Sequence, residues 1–270
     1  MSEESKGEES KGEDKPKILV LHGFGQTSEI IQKRGRNLFK TLSRDYDLYF
    51  PEAPYDVILQ KLNESDNSFK YQQGKAWFYY NPENPSDFKD YLNKKETQWY
   101  GVEDSIYFDA NNGSIERLSD RNANNLLNYI IKNGPFYAVI GFSQGAHLIP
   151  LLYNTINEGH YILNEYPNEK QEFYIFTLIE QFKKLIFISG FKTPMPLHIS
   201  LHGDIAIDYP EQIDIPTLHI YGQEDEFISN EKSNELVEIC KNPIVHIHNK
   251  GHILAQDSES KKKILQFLQN

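Results

Sequence analysis

The sequence predicts an α/β fold in which six mostly parallel strands form one sheet with helices on both faces. Short apolar runs alternate with longer amphipathic segments from Lys17 onward, and this alternation favours right-handed crossovers into a parallel sheet. Most of the short runs are apolar on both faces, which is typical of strands that helices cover on each side. A chain of 270 residues, 39% of them hydrophobic, is long enough to bury one large core.

The six strands are expected at Ile18–Leu21, Tyr46–Phe50, Tyr137–Ile140, Leu185–Ser189, Thr217–Tyr221 and Ile244–His248. The helices that connect them are expected at about 28–42, 115–132, 144–157, 169–184, 229–241 and 257–268. Because the crossover rule places a topological switch between the first and third strands, we expect the sheet order 2-1-3-4-5-6.

We expect a single domain over residues 16–270 and an acidic, disordered tail over residues 1–15. The segment Glu-Ser-Lys-Gly-Glu occurs twice, at 4–8 and at 9–13, and no apolar side chain follows Met1 before residue 15. Such a stretch cannot form a core. A long insertion over 51–113 interrupts the strand and helix rhythm, and loops of that length in a compact domain are usually functional.

Composition excludes several classes of partner. The net charge of −11 argues against nucleic acid as a main partner, and the average hydropathy argues against a membrane span.

The tail lacks the apolar region of a signal peptide, and the single cysteine, Cys240, fits a buried helix face in a reducing compartment. We therefore expect a cytoplasmic protein, and the sequence leaves its oligomeric state open.

The pentapeptide Gly141-Phe142-Ser143-Gln144-Gly145 follows the third predicted strand and opens a helix. This is the context that a Gly-x-Ser-x-Gly nucleophile elbow requires. The chain must turn within about one residue, so the flanking residues must lack a Cβ atom. The alternative is a chance pentapeptide in a loop. We interpret Ser143 as a nucleophile at the amino end of a helix, where backbone N–H groups favour an oxyanion.

A serine nucleophile needs a base and an acid, and in folds with this elbow they follow in the order Ser, Asp or Glu, His. His252 lies in the loop that leaves the last predicted strand, where a general base can reach Ser143. Asp225 follows the fifth predicted strand and is the expected acid. Glu224 is the alternative candidate for the acid, and Glu226 is expected to be solvated.

Two backbone N–H groups are expected to bind the oxyanion. The first belongs to Gln144, directly after the nucleophile. The second is expected from the loop after the first strand, and we assign it to Phe24.

The sequence also contains weaker signals for a metal site and for a dinucleotide site. His246 and His248 share one face of the last strand, and an H-x-H metal pair is the alternative to packed structural histidines. We expect no metal, because the sequence offers no evident third ligand. The segment Gly23-Phe24-Gly25-Gln26-Thr27-Ser28, with Glu52 a strand later, half-fits a dinucleotide fingerprint, but Ser28 replaces its third glycine.

The insertion is rich in aromatic residues, which include Trp77, Phe78, Tyr79, Tyr80, Trp99 and Tyr100. They either cover the sheet edge as a local core or line a substrate pocket. Trp77, Phe78, Trp99 and, beyond the insertion, Phe191 are our predicted pocket residues. A pocket of this kind would select an apolar acyl or alkyl chain, since each buried methylene contributes about 0.8 kcal/mol.

Over about residues 16–268 the sequence resembles the FSH-type serine hydrolases, which include the ovarian-cancer-associated serine hydrolase homologues, within the α/β-hydrolase superfamily. The resemblance depends on residues 21–26, 76–78, 101–106, 134–136, 141–146, 188–191 and 215–222, together with Asp225 and Gly251-His252. It implies a small carboxylesterase or thioesterase with Ser143, Asp225 and His252 as its triad. Lys250 and His147 depart from the family pattern and bear on the shape of the pocket.

The predicted function is the hydrolysis of a carboxylic ester or thioester of an apolar chain, through an acyl-enzyme and without a cofactor. The alternative is a catalytically silent α/β-hydrolase that binds a small molecule, because a fold does not guarantee a function.

Overall fold

The computed structural model describes residues 14–63, 68–78, 126–165, 182–192 and 209–270. The strands of these residues are β1 (Lys17–Leu21), β2 (Asp47–Tyr49), β3 (Tyr55–Asn63), β4 (Ser68–Ala76), β5 (Ala138–Phe142), β6 (Lys184–Ile188), β7 (Thr217–Gly222) and β8 (Pro243–His248). The helices are α1 (Ser28–Arg34), α2 (Arg36–Leu42), α3 (Leu126–Asn133), α4 (Gln144–Glu165), α5 (Asn230–Glu238) and α6 (Ser258–Gln269).

Six strands form one parallel sheet in the order β2-β1-β5-β6-β7-β8. This confirms the expected order, and each expected strand overlaps an observed one. In the register, Leu21 pairs with Gly141 and Phe142 pairs with Ile188. Because the strands are parallel, their carboxyl ends share one edge of the sheet, where ligand sites of open α/β sheets lie.

The central strands are buried on both faces, as their apolar runs predict. Along β1, Leu19 and Leu21 belong to one core cluster, whereas Ile18 and Val20 belong to the other. Successive strand side chains point to opposite faces, so the two clusters are the two layers between sheet and helices. The exposed fraction of these four side chains is 1% or less.

An antiparallel hairpin of β3 and β4 lies outside the main sheet, with Tyr55 opposite Ala76 and Asn63 opposite Ser68. The sequence does not predict these strands. Their nine-residue segments mix charged and apolar residues, unlike the buried runs of the main sheet. The first part of the predicted insertion is therefore extended hairpin, and residues 79–113 lie outside the described residues.

Two expected helices need correction. The helix expected at 28–42 is two helices, α1 and α2, that meet at Gly35. A Cβ atom there would lie 2.2 Å from the Phe39 ring and 2.6 Å from Leu254, so only glycine permits this close packing.

The helix expected at 169–184 cannot reach its predicted end, because Lys184 begins β6 and the N–H groups of Phe182 and Lys183 bond to carbonyl groups of Phe136 and Tyr137. Its residues 169–181 lie outside the described residues, as do residues 115–125 of the helix expected at 115–132. Among the helices that are described, none is both long and apolar enough to cross a membrane.

Candidate active site

Ser143 makes the turn between a strand and a helix on its own. β5 ends at Phe142 and α4 begins at Gln144. The φ angle of Ser143 is 54°, a left-handed conformation that is uncommon for residues other than glycine. The Ser143 N–H donates to the carbonyl of Ile188 at 2.9 Å, so the neighbouring strand β6 holds the turn.

The two glycines of the pentapeptide permit close backbone contacts. A Cβ atom at Gly141 would lie 2.5 Å from the Ala146 backbone. A Cβ atom at Gly145 would lie 2.5 Å from the carbonyl oxygen of Leu21 and 2.7 Å from that of His22. Such approaches exclude any side chain, so α4 can begin directly against the end of β1.

Asp225 lies in the loop after β7 and is fully engaged in hydrogen bonds. Its Oδ2 atom lies 2.7 Å from Nδ1 of His252. Its Oδ1 atom accepts the backbone N–H groups of Phe227 and Ile228, each at 2.9 Å. The Asp225 side chain is 1% exposed. These contacts fix the carboxylate and leave Nε2 of His252 as the nitrogen that can take part in chemistry.

The competing carboxylates near Asp225 have different surroundings. Glu224 and Glu226 are both exposed to solvent. The backbone of Glu224 instead joins two loops, because its N–H donates to the carbonyl of Lys250 at 3.2 Å. The Gln223 N–H likewise donates to the carbonyl of His248 at 2.8 Å. The loops that carry Asp225 and His252 are therefore held side by side.

His252 lies beside the segment that carries Ser143. Its ring centroid is 5.1 Å from that of Phe142, the residue before Ser143, and 5.5 Å from that of Phe227. The His252 side chain is 15% exposed and Ser143 is 4% exposed. The structure thus brings the three predicted triad residues to the carboxyl ends of β5, β7 and β8.

The two predicted oxyanion donors lie on elements that meet at Ser143. Gln144 is the first residue of α4, so its N–H is one of those that a helix leaves without an intrahelical partner. Phe24 belongs to the loop after β1. A Cβ atom at the preceding Gly23 would lie only 3.2 Å from Cβ of Ser143, so this loop runs directly over the serine.

The loop after β1 is held by the side chains of His22 and Gln26. Nε2 of His22 accepts the Ala53 N–H at 3.2 Å, so Nδ1 carries the proton and donates to the Gly23 carbonyl at 2.9 Å. Oε1 of Gln26 accepts the Gly23 N–H at 3.2 Å. His22 is fully buried, and burial lowers its pKa. The imidazole is therefore a neutral, fixed part of the loop.

Three of the predicted pocket residues are buried. The exposed fractions are 0% for Trp77, 1% for Phe78 and 0% for Phe191, and the first two belong to a core cluster. This burial agrees with the local-core alternative, and a substrate-lining role for these residues stays a prediction. Trp99 lies outside the described residues, as do Tyr79, Tyr80 and Tyr100 of the same stretch.

The hydrogen bonds of two buried polar side chains near Ser143, Gln144 and His147, were not predicted from the sequence. The side chain of Gln144 accepts the Trp77 N–H at 3.0 Å and donates to the Phe78 carbonyl at 2.7 Å. Nδ1 of His147 donates to the Phe191 carbonyl at 2.9 Å, and burial lowers the pKa of His147 to about 3. Both follow the nucleophile on α4, but their partners are distant in sequence, so no local pattern indicates them.

The dinucleotide alternative does not fit the structure. The carboxylate of Glu52 accepts the Ser28 N–H at 3.1 and 3.2 Å and the Ser28 hydroxyl at 2.8 Å. The start of α1 is thus already occupied by an anionic side chain, where a pyrophosphate would have to bind.

His246 and His248, the residues of the metal alternative, are 9% and 7% exposed in β8. Across the described ranges, no group of three or more His, Cys, Asp or Glu side chains is placed to hold a metal ion. Nδ1 of His248 accepts the Lys250 N–H at 3.3 Å, so His248 holds the start of the loop that carries His252.

The family model described as "Serine hydrolase (FSH1)" matches residues 11–264. Family of serine hydrolases 3 of Saccharomyces cerevisiae is 29% identical over 238 residues, which are 83% of this chain and 72% of that protein. Esterase OVCA2 of Xenopus tropicalis is 26% identical over 254 residues, covering 93% of this chain and 91% of that protein.

A third relative, a Schizosaccharomyces pombe protein called dihydrofolate reductase, is 27% identical over 252 residues. The match covers 93% of this chain but only 46% of that longer protein. The family model also matches nearly the whole of this chain, and the matched range includes Ser143, Asp225 and His252. The chain belongs to the serine hydrolase (FSH1) family.

Proposed function

We propose that this protein is an esterase that cleaves a carboxylic ester or thioester of an apolar acyl or alkyl chain, with Ser143, Asp225 and His252 as its catalytic triad. The observation that carries the proposal is the 2.7 Å contact between Nδ1 of His252 and the buried carboxylate of Asp225. It lies beside a serine whose strained backbone sits between a strand and a helix. The esterase name of a relative that matches nearly its full length supports the same reaction class.

In the first half-reaction, Oγ of Ser143 attacks the substrate carbonyl carbon and its proton passes to Nε2 of His252. Asp225 holds the imidazole in the correct tautomer and stabilises the imidazolium. The carbonyl oxygen becomes an oxyanion, which the N–H groups of Phe24 and Gln144 bind. The tetrahedral intermediate then expels the alcohol or thiol, which takes the proton from His252.

In the second half-reaction, water gives a proton to His252 and its oxygen attacks the acyl-enzyme carbonyl. The intermediate collapses, the bond to Ser143 breaks, and Oγ regains its proton as the carboxylic acid leaves. Each bond formed in the first half is broken in the second, so the enzyme returns to its starting state. No metal or organic cofactor is required by these steps.

The apolar part of the substrate is proposed to contact aromatic residues next to the helix that starts at Gln144. The Phe78 and Phe191 rings lie 5.3 and 4.7 Å from the His147 ring, in the first turn of that helix. The chain from residue 16 onward is proposed to act as one hydrolase domain.

The proposal is tested with a fluorophosphonate probe, which reacts only with an activated serine. We expect the wild-type protein to be labelled on Ser143 and Ser143→Ala to remain unlabelled. Hydrolysis of a short-chain aryl ester should fall at least about a thousandfold in Ser143→Ala, because the triad acts as a unit. A folded wild-type protein that neither reacts with the probe nor hydrolyses aryl esters would favour the silent, ligand-binding alternative.

A further inference from the structure

Trp77 is hydrogen-bonded to both elements that carry the proposed oxyanion donors. Its indole Nε1–H donates to the carbonyl oxygen of His22 at 2.8 Å. Its backbone N–H donates to Oε1 of Gln144 at 3.0 Å. Since His22 begins the loop of Phe24 and Gln144 begins α4, this one residue connects the two elements directly.

The carboxamide of Gln144 strengthens this connection. Its Nε2 atom donates to the Phe78 carbonyl at 2.7 Å. The oxygen and the nitrogen of the carboxamide are therefore both hydrogen-bonded to the backbone of two consecutive residues, Trp77 and Phe78. Gln144 and Trp77 are 0% exposed and Phe78 is 1% exposed. Hydrogen bonds between such buried groups do not compete with water, and removing one partner leaves the other unsatisfied.

The last residues of β4 are also hydrogen-bonded to the loop that follows β1. The Gly25 N–H donates to the Lys75 carbonyl at 2.8 Å, and the Lys75 N–H donates to the Gln26 carbonyl at 2.9 Å. A Cβ atom at Gly74 would lie 2.2 Å from the carbonyl oxygen of Gly25. Residues 74–78 therefore lie against both the loop and the helix start, with no room between backbones.

An oxyanion hole works only if its donors are fixed before the charge develops. The proposed donors, Phe24 and Gln144, are 120 residues apart in the sequence, so the covalent chain does not set the distance between them. Contacts that cross from one element to the other must set it. Trp77 makes two of these contacts from a single residue.

We propose that Trp77 is a positioning residue that sets the separation of the two oxyanion donors, with the Gln144 carboxamide as its partner. This inference rests on the proposed function, because it assumes that Phe24 and Gln144 bind the oxyanion. It gives the β3–β4 hairpin a role in the active site. Trp77 directly follows β4 and lies where the loop after β1 meets the start of α4.

Two variants test the proposal, and a third is the control. Trp77→Phe keeps an aromatic ring and the backbone N–H but removes the indole N–H. Gln144→Met keeps the length of the side chain and the backbone N–H but removes both carboxamide contacts. Tyr137→Phe removes a comparable hydrogen bond, from the hydroxyl to the Leu268 carbonyl at 2.9 Å, at a place outside the site.

Each variant is assayed per active site, titrated by the final extent of fluorophosphonate labelling, and its inhibition by an alkyl boronic acid is measured. Oγ of Ser143 bonds to boron while its proton passes to Nε2 of His252, and the resulting tetrahedral boronate, which carries the negative charge, places one of its oxygens where the oxyanion forms. We expect kcat of Trp77→Phe and Gln144→Met to fall about tenfold to a hundredfold, with KM changed less than about threefold. Boronic acid affinity should fall by the same factor, and Tyr137→Phe should match the wild type.

A purely structural role for Trp77 predicts a different result. Fewer sites would then be titrated, but kcat per titrated site and boronic acid affinity would stay at the wild-type values, and this result would overturn the proposal. If Trp77→Phe does not fold, Gln144→Met decides by the same criteria. Failure of the proposed function would be recognised separately, because the wild-type protein itself would then remain unlabelled on Ser143, and the inference would fall with it.

Discussion

The carboxylate of Asp225 contacts Nδ1 of His252 at 2.7 Å and so joins the loops that follow β7 and β8. Its other oxygen accepts two backbone N–H groups of its own loop. The carboxylate cannot turn away from the imidazole without losing these bonds. In contrast, Glu224 and Glu226 are exposed, so the three carboxylates of this loop differ in burial and in partners.

Replacing Asp225 tests this difference directly. Asp225→Asn should lower kcat/KM for an aryl ester by about a hundredfold or more, because an amide cannot hold the imidazole tautomer or stabilise the imidazolium. The asparagine Oδ1 can still accept the N–H groups of Phe227 and Ile228, so the loop should remain folded. Glu224→Gln is the matched control and should stay within about twofold of wild type. A larger loss in Glu224→Gln than in Asp225→Asn would identify Glu224 as the acid.

Gly145→Ala should destabilise the protein and displace the start of α4. The new Cβ atom would lie 2.5 Å from the Leu21 carbonyl oxygen, and a backbone atom cannot rotate away as a side chain can. We expect the free energy of unfolding to fall by about 1–3 kcal/mol in urea denaturation. Gly251→Ala is the comparison: its new Cβ atom would lie 3.1 Å from the Glu224 carbonyl oxygen, still close but 0.6 Å farther than in Gly145→Ala, so it should lose less stability. Equal stability of the two variants would contradict the close approach of β1 and α4.

Sequence patterns predicted the sheet and the Ser143 turn because these features are local or repeat along the chain. The apolar runs identify the buried strands, and the glycines at 141 and 145 reflect contacts that permit no Cβ atom. Asp225 and His252 could be predicted from their order relative to Ser143 and from their places after strands. The strand order explains why both residues lie at the same edge of the sheet.

Features that depend on distant partners could not be predicted in this way. The close packing at Gly35 involves Leu254, which lies near the other end of the chain. The Gln144 carboxamide depends on the backbone of Trp77 and Phe78, and a glutamine after the nucleophile gives no sign of where its side chain points. The hairpin lacks the uniform apolar character that marks the buried strands, although the sequence between its two segments contains Ser, Asp and Asn at 65–67, which are residue types common in turns.

Removal of metal ions should leave the activity unchanged. In the proposed mechanism the developing charge is bound by backbone N–H groups of Phe24 and Gln144, so EDTA should not reduce hydrolysis of an aryl ester. An organophosphonate should abolish it. The contrary mechanism, a metal-activated water at His246 and His248, predicts loss of activity in EDTA, recovery with zinc, and retained activity in Ser143→Ala.

The stability of the protein should depend on pH through its buried histidines. Burial lowers the pKa of His219 to about 3, against an ordinary value of 6.5. The ring stacks on Phe187 at 4.6 Å, and its buried Nε2 atom has no hydrogen-bond partner among the residues that the structure describes. Between these two pKa values the unfolded state binds a proton that the folded state does not. The folded state is therefore destabilised as the pH falls below 6.5, down to about 3.

One such histidine changes the free energy of unfolding by about 1.4 kcal/mol per pH unit in the steep part of this range. His219→Leu removes the titrating group and places an apolar side chain beside Phe187. In urea denaturation between pH 4 and pH 5.5, the variant should lose stability less steeply than the wild type, by about 1.4 kcal/mol per pH unit. His147, whose pKa is also lowered to about 3, remains in both proteins and maintains a slope of its own. Identical slopes in the two proteins would mean that His219 takes up its proton without unfolding, which its burial against Phe187 does not allow.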